Sequence, residues 1–345
     1  MKKKVVVAMS GGVDSSVAAT LLKRDGFDVI GVFMKFWQSR IDTNKTDSHR
    51  FENRCCSSEA EKRARVVAVK LKIPFYVFNF EKEFKAKVVD YFLKEERAGL
   101  TPNPCVVCNK EIKFGLLLEK ALSLNADYIA TGHYARIKND KLIKGKDGKK
   151  DQSYFLWKLN KKILKNILFP VGEYNKIEVK GVAKRFKLPV VDVPESQEIC
   201  FVENTLIEFL TKYLKPKSGD MVCGGGVVGK HIGLPLYTIG QRKGIGLAGG
   251  PYYVLKKDIK KNILVITKDE KDLYRKELSV KNLNWISNIS FPMKVRAKIR
   301  YRTKEAVAVV DKNKVFFSKP QRAITSGQSI VFYKGQELLG GGIIV

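Results

Sequence analysis

Apolar runs alternate with amphipathic helical segments over the first 135 residues of the chain. Short continuous apolar runs are typical of strands that are covered on both faces, and they are found at 4–8, 28–34, 74–80 and 127–130. Helical spacing follows at 17–23 and at 81–97. Ser58 with Glu61 predicts a capping box in front of a further helix that ends at Leu71. This order predicts a doubly wound α/β domain with a parallel sheet.

The pattern changes beyond residue 215 to short β-rich runs separated by glycine and turn residues. Residues 219–267 and 278–345 each predict a small antiparallel barrel or sandwich, and the charged stretch 268–275 separates them. A chain of 345 residues accommodates two or three domains. The expected domains are an α/β domain with a basic segment at 1–212, a small β domain at 213–274 and a C-terminal β-barrel at 275–345.

Charge indicates a polyanionic partner. Lysine and arginine number 65 against 35 acidic residues, which gives a formal net charge of +30. General lysine richness explains part of this excess, but residues 138–187 alone hold 15 basic and five acidic residues. Nucleic acid is therefore the leading candidate partner. The sequence has neither an apolar run long enough to cross a membrane nor a signal-peptide core at its start, so a cytoplasmic protein is expected.

A glycine-rich loop joins the first expected strand to the first expected helix, and it reads Ser10-Gly11-Gly12-Val13-Asp14-Ser15-Ser16. Glycines let the backbone surround an anion, hydroxyls donate hydrogen bonds, and a helix N-terminus favours negative charge. The loop has neither the ending of a Walker loop nor the spacing of a dinucleotide fold, which disfavours kinase and nicotinamide chemistry. A plain Gly-Gly turn would leave the clustered Ser and Asp residues unexplained. The sequence therefore predicts a phosphate-binding loop.

The chain has six cysteines. Because a cytoplasmic protein is expected and the cytoplasm is reducing, structural disulfides are not expected. Cys105 and Cys108 lie where a helix is expected to begin, and a helix N-terminus with nearby lysines makes a thiol more reactive. Cys200 alone would be a packed, inert residue. A zinc site is a secondary alternative, since the spacing of the remaining cysteines suits one poorly. Packing roles are expected for Cys55, Cys56 and Cys223.

The phosphate loop resembles that of the N-type ATP pyrophosphatases, and the chain as a whole resembles the bacterial tRNA-specific 2-thiouridylases. Seven strings occur in the order of that family: Ser10 to Ser16, Thr101-Pro-Asn-Pro with Cys108 to Phe114, Thr131 to Ala135, Asp151 to Leu156, Gln197 to Phe201, Tyr237 to Gly244 and Lys298 to Arg302. Each string is modest evidence by itself, but all seven in order are specific.

The resemblance implies ATP-dependent thiolation of the wobble uridine in tRNAs for Lys, Glu and Gln. ATP with Mg²⁺ would adenylate the C2 oxygen, and sulfur would then replace it, releasing AMP and pyrophosphate. Cys200 would carry a persulfide received from a cysteine desulfurase or sulfur-relay protein. Cys108 would be the nucleophile that releases sulfide or pairs with Cys200 in a disulfide. A monomer is expected.

The resemblance also implies site residues at the matching positions. ATP binding is implied for Ala8, Met9, Ser10, Gly11, Gly12, Val13, Asp14, Ser15, Met34 and Gly132, with Asp14 near Mg²⁺. Contact with the tRNA or its target base is implied for Asn103, Pro104, Cys105, His133, Lys150, Asp151, Gln152, Arg300, Tyr301 and Gln328. Surface or barrel packing is the alternative for the tRNA contacts outside the cysteine segment. A hydrogen-bonded strand end is an equal alternative for His133.

Cys105 departs from the family, many members of which have Asp three residues before the nucleophile. Cys105, Cys108 and Cys200 resemble the cysteine set with which related tRNA thiolases hold a [4Fe-4S] cluster, and soft thiolates favour such clusters. A cluster-bound hydrosulfide and a persulfide are therefore equal alternatives for the sulfur carrier. Ala60 and Arg63, where acidic residues are frequent, are a second departure, to which no function is given.

Two other functions compete with tRNA thiolation. Another N-type pyrophosphatase that activates a small metabolite would have a glutaminase or dimerisation module in place of the two basic β modules. A non-catalytic RNA-binding protein would have no use for the complete phosphate loop or the paired cysteines. Pyrophosphate release that is stimulated by tRNA, by a metabolite or by neither would separate the three functions.

Overall fold

A computed structural model of the protein describes residues 2–38, 57–194, 199–202 and 204–345. It divides the chain into two compact units. The first comprises Met1–Val89, Pro104–Glu203 and Gln336–Leu338, and the second comprises Asp90–Asn103, Asn204–Gly335 and Leu339–Val345. Cys55 and Cys56, which were expected to have packing roles, lie outside the described residues.

The strands, numbered along the chain, are β1 (Lys4–Ala8), β2 (Asp28–Lys35), β3 (Phe75–Asn79), β4 (Tyr128–Ala130), β5 (Ala135–Lys138), β6 (Lys141–Lys144), β7 (Ile167–Leu168), β8 (Gly219–Cys223), β9 (Gly226–His231), β10 (Tyr253–Asp258), β11 (Ile263–Thr267), β12 (Tyr274–Trp285), β13 (Met293–Lys298), β14 (Ala306–Asp311), β15 (Lys314–Arg322), β16 (Ser329–Lys334) and β17 (Glu337–Ile344). The α-helices are α1 (Val13–Arg24), α2 (Ser58–Leu71), α3 (Glu81–Phe84), α4 (Asp90–Arg97), α5 (Pro104–Cys108), α6 (Leu117–Ser123), α7 (Lys176–Arg185) and α8 (Leu206–Leu214).

A parallel five-stranded sheet forms the centre of the first unit, in the order β3-β2-β1-β4-β7. Val5, Val6 and Val7 of β1 are fully buried, as a central strand covered on both faces requires. The four strands expected from the sequence are present, and β7 is an additional edge strand. The doubly wound α/β prediction is therefore confirmed.

Two helix starts differ from expectation. α1 begins at Val13, directly after the glycines of the loop, and not at Val17. The predicted capping box of α2 is wrong by one residue, because Ser57 is the N-cap. Ser57 has extended backbone, and its Oγ accepts a hydrogen bond from the Ala60 N–H at 3.0 Å.

The helix expected over 81–97 is interrupted. α3 and α4 are separated by a π-helical segment at Lys85–Val89, in which Val88 and Val89 are buried. A second π-helical segment, Asn109–Leu116, lies between α5 and α6. Such segments are rare and concentrate at functional sites, and hydrophobic periodicity does not reveal them.

Two β modules lie in the second unit. The first is a four-stranded sheet in the order β10-β11-β8-β9. Its β8 and β11 pair in parallel, so the expectation of an all-antiparallel module is wrong for that pairing. The second is a closed six-stranded barrel, β12-β15-β14-β13-β16-β17, in which β17 pairs back with β12. Alternation along β15 buries Val315 and Phe317 in its core and leaves Phe316 exposed. Among the described residues, no helix is long and apolar enough to cross a membrane.

A buried acid lies on α4 in the second unit. Glu96 is only 4% exposed. Burial raises the pKa of the Glu96 carboxyl to about 7, and the positive charge of Lys257 on β10 opposes this rise. Burial in turn lowers the pKa of Lys257, which the charge of Glu96 opposes. The Lys257 ammonium also donates to the carbonyl of Tyr237 at 2.9 Å. The pair therefore joins α4 to the first β module.

We expect Lys257→Met to destabilise the protein by up to about 1.4 kcal/mol for each unit by which the Glu96 pKa rises further, because the positive charge that opposes this rise is lost. The pKa of Glu96 is then raised further above its unfolded value, so the loss should grow as pH rises from about 5 to about 8. Urea unfolding at the two pH values measures it. Lys256→Met, at an exposed neighbouring position, is the matched control. Equal effects of the two substitutions would contradict the pairing.

Candidate active site

The phosphate loop lies between the carboxyl end of β1 and the start of α1, and its own hydroxyls hold its shape. The Ser15 hydroxyl accepts from the Ser10 N–H at 3.1 Å and donates to the Gly12 carbonyl at 3.2 Å. The Ser16 hydroxyl donates to the same carbonyl at 2.9 Å. These contacts turn the loop around the N-terminus of α1, where backbone N–H groups attract an anion.

Close backbone contacts explain two glycines. Gly11 has a φ of +73°, and a Cβ there would lie 2.2 Å from the carbonyl oxygen of Ala60 on α2. A Cβ at Gly132, just after β4, would lie 2.6 Å from the backbone nitrogen of Ser15. Any larger side chain would therefore displace the loop. Arg63 adds a further contact by donating from Nε to the Gly11 carbonyl at 3.2 Å, so this departure from the family supports the loop.

Asp14 is the charged centre of the site. Its Oδ1 accepts from the Tyr134 hydroxyl at 2.7 Å and from the Lys176 ammonium at 2.7 Å. The Lys176 side chain is 12% exposed and that of Asp14 29%, so the ion pair is largely shielded from water. Sequence reasoning missed both Lys176 and Tyr134. A lysine at a helix start gives no signal among so many lysines, although Tyr134 belongs to a family string.

Local structure fixes where Lys176 lies. Asn175 caps α7, and its side chain and that of Glu178 form a complete capping box. The Lys176 N–H donates to Asp147 Oδ2 at 3.1 Å. The ammonium group therefore extends from a well-anchored first turn to Asp14.

Other residues expected at the ATP site lie on the same sheet edge. Met9 donates its N–H to the Val32 carbonyl at 2.8 Å, and Met34 lies two residues further along β2. Ligands of doubly wound folds bind beyond the carboxyl ends of the strands. An anionic nucleotide and a Mg²⁺ ion fit this edge, because the N-terminus of α1 attracts an anion there and Asp14 offers a hard oxygen ligand beside the Lys176 charge.

The cysteine segment begins with α5 in the first unit. Cys108 is 6% exposed, whereas Cys105 and Cys200 are half-buried, and all three are thiols. α5 packs against the π-helical segment that follows Phe84. Phe201, next to Cys200, packs against Phe84 with ring centroids 5.9 Å apart. Phe84 therefore packs against the neighbour of Cys200 and directly precedes the segment against which α5 packs.

Cys105, Cys108 and Cys200 do not form a metal-binding group. Throughout the described part of the chain, no set of three or more His, Cys, Asp or Glu side chains is arranged to hold a metal ion. A [4Fe-4S] cluster needs its thiolates gathered around one centre. The described residues therefore lend the cluster alternative no support. Cys223, expected to pack, lies half-buried against the core of the first β module.

His133 connects the end of β4 to the cysteine segment. Its ring packs against Phe114, in the π-helical segment after Cys108, at 5.8 Å and against Phe169 at 6.1 Å. Its Nδ1 lies 2.7 Å from the Thr131 hydroxyl. Burial, and secondarily the charge of Lys113, lower the pKa of His133 well below its ordinary value of 6.5. The imidazole is therefore neutral and acts through hydrogen bonds.

Two residues expected to contact tRNA bind the protein's own backbone in the first unit. The carboxylate of Asp151, 5% exposed, accepts from the N–H groups of Gly145 at 3.0 Å and Ser153 at 3.1 Å. Gln152 accepts through Oε1 from the Tyr134 N–H at 2.9 Å. Both side chains thus order the segment that carries the Asp14 partner. Lys150 instead lines a pocket of about 410 Å³ together with Val13 and Lys180.

The expected tRNA contacts of the second unit are also engaged internally. Arg300 donates through Nη2 to the carbonyls of Ile239 at 3.0 Å and Ala323 at 3.1 Å. The Gln328 amide donates to the Thr101 carbonyl at 2.8 Å. The half-buried ring of Tyr301 has the Lys298 ammonium 5.9 Å from its centroid. Asn103 is half-buried in this unit, whereas Pro104 is buried at the start of α5 in the first unit.

Three family models match successive parts of the chain. They are the tRNA methyl transferase HUP domain at residues 3–204, the tRNA methyl transferase PRC-barrel domain at 207–268 and the aminomethyltransferase beta-barrel domain at 275–344. The first model alone covers more than half of the chain.

Curated relatives match nearly end to end. The tRNA-specific 2-thiouridylase MnmA of Carboxydothermus hydrogenoformans is 47% identical over 364 residues, covering 99% of this chain and 98% of the relative. The protein of the same name from Clostridioides difficile is 46% identical over 362 residues, covering 100% and 98%. Among solved structures, NMN synthetase from Francisella tularensis aligns with a TM-score of 0.33 and 15% identity, covering 56% of this chain and 66% of that one.

We expect the imidazole of His133 to stay neutral well below its ordinary pKa of 6.5, and Lys113→Met to raise that pKa, because a nearby positive charge is removed. Heteronuclear NMR of the histidine rings over a pH series measures both, with the His133→Gln variant assigning the resonance. Lys110→Met, on the same π-helical segment but exposed, is the control. An ordinary titration of His133 would contradict the assigned burial.

Proposed function

The chain belongs to the tRNA-specific 2-thiouridylase family, and from this premise we propose that it thiolates the wobble uridine of tRNA at C2 with the use of ATP. It is a sulfurtransferase. The observation that carries the proposal is the pairing of a phosphate loop with a cysteine helix in one compact unit. Two family models have methyl transferase in their names, but methyl transfer would leave both the phosphate loop and the cysteines without a use.

The first chemical step is adenylation of the uridine. The C2 oxygen attacks the α-phosphorus of ATP, the bond to the β-phosphate oxygen breaks, and pyrophosphate leaves as N3 loses its proton. The N-terminus of α1 and the Lys176 ammonium are placed to stabilise the charge that develops on the phosphates. Asp14 would hold Mg²⁺, which when bound neutralises phosphate charge. Until nucleotide arrives, Lys176 neutralises Asp14 and reduces its repulsion of an anion.

The second step is sulfur transfer, and we propose the persulfide route, because it needs only the Cys108 and Cys200 thiols of this chain and a persulfide donor. The terminal sulfur of a Cys200 persulfide attacks C2, and AMP leaves with the oxygen. The Cys108 thiolate then attacks the inner sulfur of Cys200. The S–S bond to the tRNA sulfur breaks, the thiolated tRNA is released, and a Cys108–Cys200 disulfide remains. An external thiol reduces this disulfide, and a cysteine desulfurase or sulfur-relay protein reloads Cys200.

The substrate and its binding regions are part of the same proposal. The tRNAs for Lys, Glu and Gln are the proposed substrates, and Asn103, Pro104 and Cys105 would surround the unstacked base. Lys150 and Tyr301 remain proposed contacts through charge and stacking. The β modules at 213–274 and 275–345 would bind the tRNA body. A monomer is proposed as the active form.

The whole proposal is tested by measuring pyrophosphate release from ATP with and without tRNA, followed by nucleoside analysis of the tRNA. We expect release to depend on tRNA and 2-thiouridine to appear when a persulfide donor is added. Stimulation by a small metabolite in place of tRNA would support the metabolite-activating alternative. Absence of any ATP turnover would support an RNA-binding protein without catalysis.

Cys108→Ser should abolish thiolation while tRNA binding and tRNA-stimulated pyrophosphate release continue, because serine cannot attack the persulfide bond. The measurement is 2-thiouridine formed per enzyme, with pyrophosphate measured in the same reaction. Cys223→Ser, at a thiol in the first β module of the second unit, is the matched control and should retain full thiolation. Normal thiolation by Cys108→Ser would refute the nucleophile assignment.

Lys176→Met should slow tRNA-dependent pyrophosphate release by roughly 10²- to 10³-fold, as expected when one preorganised charge is lost from a phosphoryl-transfer site. Single-turnover measurement at saturating ATP separates this effect from weaker nucleotide binding. Lys184→Met, exposed in the last turn of the same helix, is the control. If Lys176→Met released pyrophosphate as fast as the control, Lys176 would have no part in the reaction.

A further inference from the structure

Both backbone polar groups of Thr101 form hydrogen bonds to one loop of the C-terminal barrel. Its N–H donates to the Ser326 carbonyl at 3.0 Å, and its carbonyl accepts from the Gln328 amide at 2.8 Å. All of these residues belong to the second unit. We call Thr101 with residues 326–328 the Thr101 clamp. A backbone residue with both polar groups bound has little freedom to move.

Gly327 makes the clamp sterically tight. It has a φ of +92°, and a Cβ there would lie 2.7 Å from the Thr101 nitrogen and 2.9 Å from the Leu100 Cβ. Only glycine permits both this backbone conformation and this close approach. The loop and the segment before Asn103 are therefore packed backbone against backbone.

The barrel side of the clamp is itself rigid. The Gly327 N–H donates to the Ile344 carbonyl at 2.9 Å, and the Ile344 N–H donates to the Gln328 carbonyl at 2.9 Å. Ile344 ends β17, the strand that closes the barrel. Arg300 adds a hydrogen bond to the hydroxyl of Thr325, next to the loop. The loop is thus a fixed support.

The chain that leaves the clamp leads directly to the residues with proposed chemical roles. Asn103 follows Thr101 by two residues, and Cys108 follows it by seven. Upstream, Glu96 on α4 is buried in the same unit, and a Cβ at Gly99 would lie 2.2 Å from Ile259 Cδ1. Residues 96–101 are therefore fixed along their length before the chain enters the target-base segment.

We propose that Gln328 is a positioning residue for thiolation, which fixes through Thr101 the start of the segment that leads to Cys108. This inference rests on the proposed function. The Gln328 amide donates to the Thr101 carbonyl, so we expect its replacement to act mainly on the geometry of the reaction. Small displacements of reacting groups have large effects on rate.

The test uses the full chain with Gln328→Met, which keeps the side-chain length and removes the amide. The matched control is Gln321→Met, because the Gln321 amide donates to the local Lys319 carbonyl at 2.8 Å on the same barrel. In Gln328→Met, the backbone amide hydrogens of residues 98–103 should exchange with solvent faster than in the unchanged chain. It should also lower the single-turnover thiolation rate at saturating tRNA by at least about tenfold, with tRNA affinity changed less than about threefold. The control should change none of these.

A second variant tests the same clamp from the backbone. Gly327→Ala should give the same pattern of faster amide exchange and slower thiolation. Because both substitutions disrupt the same Thr101 clamp, the double variant should thiolate no more slowly than the slower single variant. Thermal unfolding verifies that each variant is folded.

Two results would overturn the proposal: lower tRNA affinity with an unchanged saturated rate, which would make Gln328 a tRNA contact, or faster exchange with unchanged thiolation. A wild-type chain that does not thiolate tRNA would instead defeat the proposed function, and the exchange comparison would still show whether the clamp exists.

Discussion

The hydrogen bonds to the Asp14 carboxylate hold together the candidate site of the first unit. Asp14 lies in the first turn of α1, and it accepts hydrogen bonds from Tyr134, just after β4, and from Lys176 at the start of α7. Three segments that are distant in sequence therefore meet at one charged atom. An acidic group in a phosphate site repels its ligand unless a cation offsets it, so the Lys176 contact makes Asp14 compatible with nucleotide binding.

Support for this contact extends outward through the first unit. Gln152 Oε1 accepts a hydrogen bond from the Tyr134 N–H, and the Gln152 backbone N–H donates to the Tyr134 carbonyl at 2.8 Å. The carboxylate of Asp151 fixes the turn from which Gln152 extends. The Ser153 hydroxyl is a third donor to Asp151, at 2.9 Å. Loss of this buried acceptor would leave all three donors unsatisfied, so Asp151 supports the shape of the site. The Asp151-Gln152-Ser153 string has a structural reason that does not involve RNA.

Sequence reasoning predicted the sheet well because β1 and β2 are uninterrupted apolar runs, and it predicted the loop because glycines and hydroxyls cluster in few other settings. It misplaced the cap of α2 by one residue because Ser57 and Ser58 differ only in backbone conformation. Lys176 was missed since its role depends on where α7 lies, which no local pattern encodes. The hydrogen bonds of Arg300 and Asp151 to the protein's own backbone were not foreseen, because charge is visible in a sequence and a partner in the fold is not. Whether Cys105, Cys108 and Cys200 lie close together likewise depends on the tertiary structure, which no local pattern encodes.

Several polar residues expected to contact tRNA also have a structural role. Arg300, Gln152 and Gln328 all donate to or accept from backbone groups, so a change at any one of them alters the shape of the protein. Exposed lysines, of which the basic segment 138–187 holds many, are available to a polyanion. Each exposed lysine contributes a similar, salt-sensitive increment through counterion release and can be replaced by a neighbour. Under the proposed function, the fixed hydrogen bonds of the family strings would hold the shape of the site, while the diffuse positive charge would set the affinity for tRNA.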